Sequence, residues 1–430
     1  MSLFSSTFKS DPYWWEDAPP TRHDIESLPS EIDVAIVGSG YTGLNAAIVL
    51  ARAGRSVIIL EAEETAWGCS SRNGGQISPG VKPGVGKLER RYGREAAHAI
   101  LREGHASLDF LADFVAREEI DCDYQHCGRF IGVHRPDRYD SMAAHFRESS
   151  RIVPFEWHMV PAAETTDELG TETYHGGAVL PAHASLHPAR YAAGLASRAT
   201  QAGAVIATST RVDGIAAEAN RVTVRTRRGT IQARDVIVAT NGYTGEVTPG
   251  LRRRVIPIGS YVIATEPLDP AVMQRIMPKK RVISDTRKVV YYYRPSPDHT
   301  RVVFGGRVAL GETDPKVSAP RLHKVVSGLF PELSNVKISH SWMGFVAYTF
   351  DEIPHIGQHD GVWFATGYCG SGVAWASYLG HRLGHKVLGN AEGRTAFDDM
   401  AFRTRPLYTG KPWFLGFALA WHKTMDRWGP

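Results

Sequence analysis

The chain has 430 residues, of which 43% are hydrophobic and 22% charged, and its formal net charge is +4. This composition is typical of a globular protein with a sizeable core, and the length favours two domains. So small a net charge gives no general argument for binding nucleic acid or an anionic membrane surface, and we expect neither as a partner.

The four cysteines lack the spacing of a metal site or a disulfide framework, so we predict no metal and a reducing compartment. The N-terminus has no basic segment followed by an apolar one, and no apolar run reaches the ~18 residues of a spanning helix. We therefore expect a cytoplasmic protein without a targeting signal or transmembrane segment.

The first 30 residues are rich in proline and aromatic side chains and contain the run Asp11-Pro12-Tyr13-Trp14-Trp15. Such a segment does not form a regular helix, but its aromatic side chains can each bury a large area. We predict an arm that packs on the body of the protein.

The next stretch, residues 31–61, has the pattern of a nucleotide-binding unit. An apolar run at 32–37 predicts a strand, helical spacing follows to residue 54, and a second strand at 57–60 ends at Glu61. Between strand and helix, Gly38 permits a tight turn, Gly40 lets backbone N–H groups approach a diphosphate, and Gly43 allows close helix packing. The phosphates then lie at the positive end of the helix, and Glu61 faces a ribose. The residues assigned to this end of a dinucleotide are Gly38, Gly40, Tyr41, Thr42, Gly43, Glu61 and Ala62.

A loop of small residues, 66–76, follows the second strand and contains one arginine and one asparagine. Such a loop suits a backbone that passes close to a flat ligand and a phosphate, and a plain surface loop is the alternative. The residues assigned to the cofactor are Ser71, Arg72, Asn73, Gly74, Gly75 and Gln76.

Helical patterns cover residues 93–119 and 188–202, and short strand patterns follow one another up to residue 239. The predicted strands are 129–133, 176–180, 205–208, 222–226 and 236–239. The last of them runs into a small-residue turn, where we expect a second backbone contact with the cofactor through Thr240, Asn241 and Gly242.

Residues 255–310 are richer in strand patterns, at 255–266, 289–294 and 301–306, which predict a second, largely antiparallel sheet. Strand alternation places Tyr291 and Tyr293 on one face, with Tyr292 and Arg294 on the other. Either one face covers a substrate pocket, or these side chains belong to an ordinary half-exposed sheet.

A third stretch holds a predicted strand at 362–365, a second glycine-rich turn at 367–373 and a helix to residue 388. The N-terminus of this helix favours negative charge, which a reduced flavin carries at its pyrimidine edge. A cofactor with a diphosphate at one end and a redox ring at the other fits both turns, so we predict FAD.

These three stretches, in this order, resemble the FAD-dependent D-amino-acid oxidase superfamily, in the branch of glycine oxidases, sarcosine oxidases and gamma-glutamylputrescine oxidoreductases. The similarity to the gamma-glutamylputrescine oxidoreductases rests on residues 11–15, 71–76, 239–243 and Trp413-Phe414. L-pipecolate oxidases look similar too. The resemblance covers nearly the whole chain and implies an α/β fold. It also implies that a Rossmann-like FAD-binding domain, doubly wound from βαβ units, is interleaved with an antiparallel-sheet substrate domain.

On this basis we divide the chain into an arm, two interleaved domains and a tail that packs on the body or on another subunit. The parts are 1–30 for the arm, 31–92, 186–250 and 338–390 for the FAD-binding domain, 93–185 and 251–337 for the substrate domain, and 391–430 for the tail.

The resemblance implies oxidation of a C–N bond: hydride moves from the carbon beside an amine to flavin N5, and water hydrolyses the imine. The expected substrate is a gamma-glutamylputrescine-type amine or a secondary amino acid. L-pipecolate oxidase and D-amino-acid dehydrogenase are the alternatives. The resemblance also implies that residues 72–76 line the flavin and that the backbone of Val212 contacts the adenine. The second glycine-rich turn would bind the pyrimidine edge of the flavin. The residues of that turn are Gly367, Gly370, Ser371, Gly372 and Val373.

Three positions depart from the sarcosine oxidases. Val346 stands where those enzymes tether FAD through a cysteine, so we predict non-covalent FAD. Ala374 replaces a lysine that holds the substrate carboxylate, which argues against sarcosine itself. Arg307 aligns loosely with a lysine that promotes reaction with oxygen, so both O2 and another electron acceptor stay open.

Hydride transfer needs a neutral amine, a C–H bond directed at the flavin and exclusion of water. Aromatic side chains can orient an amine, and an arginine can bind a carboxylate. The candidate substrate-site residues are Tyr348, Trp342, Tyr293, Arg294 and Arg307.

Two other classes of flavoprotein are alternatives. An NAD(P)H-dependent flavin hydroxylase should carry a second nicotinamide-binding unit, and we find none in the sequence. A tRNA-modifying flavoprotein would use short basic runs such as 252–254 and 279–281. In a chain of net charge +4 such runs are usually solvated faces.

Overall fold

The computed structural model describes residues 2–218, 220–307 and 312–428 as a mixed α/β protein with two large sheets. The strands β1 to β19 are Phe4–Lys9, Glu31–Val37, Val57–Leu60, Gln76–Ile77, Arg129–Gly132, His158–Val160, Gly177–Leu180, Ala184–Ser185, Val205–Ala207, Val212–Ala217, Val222–Thr226, Gly229–Val238, Val255–Thr265, Val282–Asp285, Tyr292–Pro295, Val302–Gly306, Ile338–Thr349, His355–His359 and Val362–Thr366. The α-helices α1 to α12 are Tyr41–Arg52, Cys69–Arg72, Val85–Tyr92, Arg94–Arg117, Tyr139–Ile152, Thr165–Glu168, Pro188–Gln201, Pro249–Arg252, Pro270–Ile276, Pro315–Leu329, Gly372–Val387 and Leu415–Trp428.

The smaller sheet has a parallel centre in the order β9-β3-β2-β12-β19. Strand β2 pairs with β3 on one side and with β12 on the other, so the strand order reverses at β2. In open α/β sheets, ligands bind at the carboxyl ends of the strands at such a point. The predicted βαβ unit of β2, α1 and β3 is confirmed, with the glycine turn directly after β2.

Helix α1 is buried along its whole length up to Ala51, because it lies between the sheet and the helices α7 and α11. A Cβ atom on Gly43 would overlap the carbonyl oxygen of Gly38, and one on Gly380 of α11 would lie 2.5 Å from the carbonyl oxygen of Thr42. Glycine at these two positions allows the backbones to approach, which fixes the start of α1 against the strand and against α11.

The larger sheet has nine strands in the order β1-β17-β13-β16-β15-β14-β5-β7-β6. Its pairs are antiparallel except β1 with β17 and β14 with β5, so the predicted, largely antiparallel second sheet is confirmed. One face packs on α10 through a core that includes Tyr261, Tyr293, Phe304 and Phe330. The other face is turned toward the smaller sheet.

Two elements lie on the other side of the predicted domain boundaries. Helix α4 falls within predicted substrate-domain residues 93–185, but Ile100, Leu108 and Leu111 pack in the same core as α1 and α11. Strand β17 falls within the predicted FAD-domain segment 338–390, but it pairs with β13 along its length and so belongs to the larger sheet. Both differences arise from long-range packing that a local pattern does not contain.

Both ends of the chain pack on the body. Strand β1 pairs with β17, and Trp14 is fully buried, with its Nε1 donating a hydrogen bond to the carbonyl oxygen of Asn73. Strand β1 and Trp14 thus attach the N-terminal segment to the body of the protein. In the tail, Leu415 and Leu419 of α12 pack against Val289. None of the helices in the described part of the chain combines the length and the apolar character needed to cross a bilayer.

Candidate active site

A cavity of about 1360 Å³ lies between the carboxyl ends of the central parallel strands and the inner face of the larger sheet. It is continuous from the first glycine turn to the second, and β13, β15, β16 and β17 contribute residues to its opposite wall. The loop of residues 66–76 and helix α12 also border it. The two turns that the sequence assigns to one cofactor thus open into one space.

At the first turn, Gly38 has a φ of +102°, which side-chain-bearing residues rarely adopt. A Cβ on Gly40 would lie 2.9 Å from Ser70 Oγ, which accepts a hydrogen bond from the backbone N–H of Tyr41. Glycine therefore lets the loop containing Ser70 come up to the start of α1 and leaves the turn open to the cavity.

Glu61 directly follows strand β3 and borders the cavity. Its Oε2 accepts hydrogen bonds from the backbone N–H and the hydroxyl of Ser39, at 2.9 and 2.7 Å, and its Oε1 accepts one from the N–H of Glu63. These bonds hold the carboxylate beside the glycine turn, where a hydroxyl-bearing ligand would meet it.

Asn73 organises the loop of residues 66–76. Its Nδ2 donates to the carbonyl oxygens of Cys69 and Ser70, and its Oδ1 accepts from the N–H of Gly75. Next to it, the guanidinium of Arg72 lies over the rings of Trp15 and Trp67, with its carbon 4.4 and 4.2 Å from the ring centroids. The loop is a fixed structure at the cavity wall rather than a plain surface loop.

The second turn is tied to the end of β12 by one side chain. Asn241 Oδ1 accepts hydrogen bonds from the N–H of Gly367 and from the hydroxyl of Thr366. Gly370 has a φ of +97°, and helix α11 begins at Gly372, with its N-terminus at the cavity. The carboxyl ends of β12 and β19 are therefore held together behind the turn.

Most of the predicted cofactor-binding residues border this cavity. They are Gly38, Gly40, Tyr41, Thr42, Glu61, Ala62, Arg72, Asn73, Gly74, Gln76, Val212, Thr240, Asn241, Gly370, Ser371, Gly372 and Val373. Five others lie behind the wall: Gly43, Ser71, Gly75, Gly242 and Gly367. Ser71, for example, donates its hydroxyl to Ala66 and accepts from Trp15, so it supports the loop from the far side.

Of the five candidate substrate-site residues, Tyr348 and Arg307 border the cavity, and the other three do not. Tyr293 is buried in the core on the outer side of the sheet, where its hydroxyl donates to Tyr174. Trp342 donates its indole N–H to the carbonyl oxygen of Arg72.

Arg294 also lies behind the wall, because its guanidinium donates to three backbone carbonyl oxygens, those of Gly75, Leu186 and Pro295. The proposed contacts of Tyr293, Trp342 and Arg294 with a substrate are thus replaced by structural roles.

The alternation predicted along β15 is confirmed, and it is Tyr292 that faces the cavity. Its hydroxyl lies 2.9 Å from Ser260 Oγ, and burial raises its pKa to about 12. The sequence indicated two faces but not which of them is inside, because that depends on how β15 pairs with β14 and β16.

Sequence reasoning also missed Arg129 and Ser284, which border the same cavity. Arg129 begins a short, buried strand, and the only local signal was a charged residue in front of an apolar run. Its neighbour Ser284 comes from β14, more than 150 positions later in the chain, so only the parallel pairing of β5 with β14 brings them together.

The lining fits FAD in three respects: two glycine turns at helix N-termini, one carboxylate beside the first turn, and a fixed loop between them. Cys69 also borders the cavity, but burial raises the pKa of its thiol to about 11, so it is protonated at neutral pH. Within the described ranges, no group of three or more His, Cys, Asp or Glu side chains is arranged to hold a metal ion.

Comparison with known proteins identifies the family to which the sequence is similar. Residues 33–385 match the family described as FAD dependent oxidoreductase. The chain is 30% identical to the gamma-glutamylputrescine oxidoreductase of Escherichia coli strain K12, over 92% of this chain and 93% of that protein. It is 31% identical to the probable oxidoreductase OrdL of Rhizobium meliloti strain 1021, over 96% and 97%. Glycine oxidase from Geobacillus kaustophilus has a similar structure, with a TM-score of 0.72, 20% identity, and 88% of this chain and 99% of that chain covered.

Proposed function

The chain belongs to the family of FAD dependent oxidoreductases, and from this premise we propose that it oxidises the C–N bond of a gamma-glutamylputrescine-type amine or a secondary amino acid. The predicted family, the α/β fold and FAD as the cofactor are confirmed by the family match and the similar structures. The substrate and the cofactor contacts of individual residues belong to the proposal.

The observation that carries the proposal is the single cavity that joins the two glycine turns and continues along the larger sheet. A cofactor that spans both turns leaves the side of the cavity lined by β5, β14 and β15 for a substrate. The E. coli relative supports an amine substrate, because nearly all of both chains align and its name specifies gamma-glutamylputrescine.

The residues of this chain can prepare an amine for oxidation without a strong base. Removal from water lowers the pKa of an amine, which favours the neutral form that hydride transfer requires. Burial raises the pKa of Tyr348 and of Tyr292, so both phenols stay protonated at neutral pH and can donate hydrogen bonds. Bound FAD supplies the hydride acceptor, and the protein supplies orientation and a dry site.

The electron acceptor is O2 or another oxidant. Arg307 supports the first, because it is only 6% exposed, borders the cavity, and its Nε and Nη2 have no hydrogen-bond partner among the described residues. Its Nη1 donates to the carbonyl oxygen of Gly259 and to Glu312. A cation in this position would favour an anionic product of oxygen reduction.

The test is anaerobic bleaching of the flavin absorption at about 450 nm in the purified protein. Gamma-glutamylputrescine, L-pipecolate, sarcosine, D-alanine and NADPH are mixed with it one at a time. We expect bleaching by gamma-glutamylputrescine or L-pipecolate and recovery of the colour in air if O2 is the acceptor. Bleaching by NADPH alone would show a hydroxylase-type reaction and contradict the proposal.

A Tyr348→Phe variant shows whether the site described above is the one that reacts. We expect slower bleaching by the amine because the variant lacks the phenolic donor, with the FAD content unchanged. The matched control is Thr424→Ala, on the exposed side of α12, whose flavin should bleach at the wild-type rate.

A further inference from the structure

Arg129 is a buried cation in the cavity wall without a counter-ion. It is 8% exposed, stands at the start of β5 and borders the cavity beside Gln76 and Ser284. Among the described residues, no carboxylate lies within ion-pair distance of its guanidinium. A buried arginine in this state is uncommon, because removing a charge from water is costly unless another charge compensates it.

The hydrogen bonds of Arg129 hold it in place but do not neutralise it. Its Nε donates to His183 Nδ1 at 3.0 Å, and its Nη1 donates to Gln76 Oε1 at 3.0 Å and to Ser284 Oγ at 3.2 Å. All three acceptors are uncharged, since burial and the nearby arginine hold the pKa of His183 well below its usual range. Within the described chain, Nη2 makes no hydrogen bond, so both of its N–H groups remain for a ligand.

The other arginines at or near the cavity are paired with a carboxylate, stacked on aromatic rings or placed behind the wall. Arg287 pairs with Asp285, and Arg307 pairs with Glu312. Arg294 donates to three backbone carbonyl oxygens and lies behind the wall. Arg72 lies between two tryptophan rings. Arg129 therefore combines access to the cavity, fixed orientation and an unmatched positive charge.

Burial also lowers the pKa of Arg129, to about 10, because the charged form has lost contact with water. The guanidinium remains charged at neutral pH. An anion that enters the cavity would remove the penalty and gain charge-assisted hydrogen bonds, whereas a neutral or cationic group would do neither.

Resting on the proposed function, we propose that Arg129 binds a carboxylate of the substrate, so the protein selects amines that carry a carboxylate over simple amines. Gln76 and Ser284 act as positioning residues, because they accept hydrogen bonds from Nη1 and leave Nη2 directed to the ligand. Nη2 can donate charge-assisted hydrogen bonds to a carboxylate from a planar group that its other bonds hold in place, and a flexible lysine ammonium does not reproduce that fixed orientation.

The first experiment measures carboxylate binding without turnover. The oxidised holoenzyme is titrated with propionate and, separately, with its neutral analogue propionamide, and changes in the flavin absorption spectrum are recorded. We expect saturable binding of propionate and none of propionamide at the same concentrations. The Arg129→Gln variant should raise the Kd for propionate about 10- to 100-fold. The Kd of Arg129→Lys should lie between those of the wild type and Arg129→Gln.

A second pair of variants leaves the arginine in place. Ser284→Asp adds a carboxylate at a position whose oxygen already accepts from Arg129, so it should supply the missing counter-ion and weaken propionate binding. Ser284→Asn is its neutral control of the same size: it disturbs the hydrogen bond to Arg129 without adding a charge, so its Kd for propionate should stay well below that of Ser284→Asp. Arg281→Gln removes an arginine that pairs with Glu168 outside the cavity and should behave like the wild type.

The outcomes separate this inference from the proposed function. Wild-type Kd values in both Arg129→Gln and Ser284→Asp overturn it, as does equal binding of propionate and propionamide, or no binding of propionate. If no amine bleaches the flavin but the titrations give the expected order, the carboxylate site stands and the proposed reaction fails. If amines bleach it, Arg129→Gln should reduce the preference for gamma-glutamylputrescine over N-acetylputrescine in kcat/KM at least tenfold.

Discussion

At the scale of single residues, the turn after β2 has little tolerance for added atoms. Gly38 needs its positive φ, and Gly43 needs the space between α1 and the turn. These demands arise within six consecutive positions, so the sequence alone was sufficient to predict them.

Replacing Gly43 by alanine should destabilise the protein by about 1–3 kcal/mol, because its methyl group would overlap the carbonyl oxygen of Gly38 and displace α1 from the strand. The same displacement should reduce the FAD content. Urea unfolding and the ratio of flavin to protein absorption measure both effects. Gly328→Ala is the control, since that helical position has open space around it and should be unchanged or slightly more stable. Equal stability of the two variants would contradict this account of the turn.

The flavin should be released by acid. Val346 has no nucleophile, and burial raises the pKa of the Cys69 thiol to about 11, which leaves too little thiolate for a covalent bond. Precipitation with trichloroacetic acid should therefore give a colourless pellet and a yellow supernatant, in the wild type and in Cys69→Ser alike. A yellow wild-type pellet that becomes colourless in Cys69→Ser would show a covalent link.

Residue-level prediction from sequence failed where the answer depends on partners far along the chain. The Tyr-Tyr-Tyr-Arg run gave the correct alternation, but burial on one side of β15 turned Tyr293 into core and left Tyr292 at the cavity. Arg129 was missed for the same reason. The role of Arg129 depends on the lack of a nearby carboxylate. Only the folded chain shows that none of the described carboxylates approaches its guanidinium.

At the scale of elements, helix α12 covers one side of the cavity. Leu415 and Leu419 pack against Val289 and Ile258, and the helix also contributes Ala418 and His422 to the lining. Sequence indicated that the tail packs on the body or on another subunit, but its position over the substrate side depends on a contact between residues about 130 positions apart.

Asp426 of α12 adds a polar contact with the same segment, because its carboxylate accepts hydrogen bonds from the backbone N–H groups of Lys288 and Val289. Asp426→Ala should release the segment after β14 and cost about 1–2 kcal/mol locally. Hydrogen exchange should become faster in residues 286–291, and KM for the amine should rise while the FAD content is unchanged. Thr424→Ala, on the exposed side of the same helix, should change neither. Unchanged exchange in Asp426→Ala would mean that apolar packing alone holds α12.

At the scale of the whole molecule, three buried histidines and the half-buried His381 set the response to pH. Burial lowers the pKa of His187 to about 3 and those of His340 and His381 to about 4, and it holds that of His183 well below its usual range. In the unfolded chain these groups titrate near 6.5, so below that pH the unfolded state binds more protons than the native state. The free energy of unfolding should fall as pH drops from about 6.5 to about 4. Asp285 opposes this between about pH 4 and 6, because burial raises its pKa to about 6 and the native state then holds the extra proton.

With four histidines acting in one direction, we expect the Tm of the holoenzyme in excess FAD to decrease steadily from pH 7 to pH 4.5. His381 allows the cause to be isolated, since it lies between Phe110 and Phe114 and its Nδ1 has no hydrogen-bond partner in the described chain. A His381→Phe variant keeps an aromatic ring at that position and removes one group that must take up a proton on unfolding. Its Tm should therefore fall less steeply with decreasing pH, because its free energy of unfolding loses less per pH unit, by at most about 1.4 kcal/mol for the one proton removed. If the Tm of the wild type stays constant over this range, or both proteins show the same slope, these neutral histidines do not control acid stability.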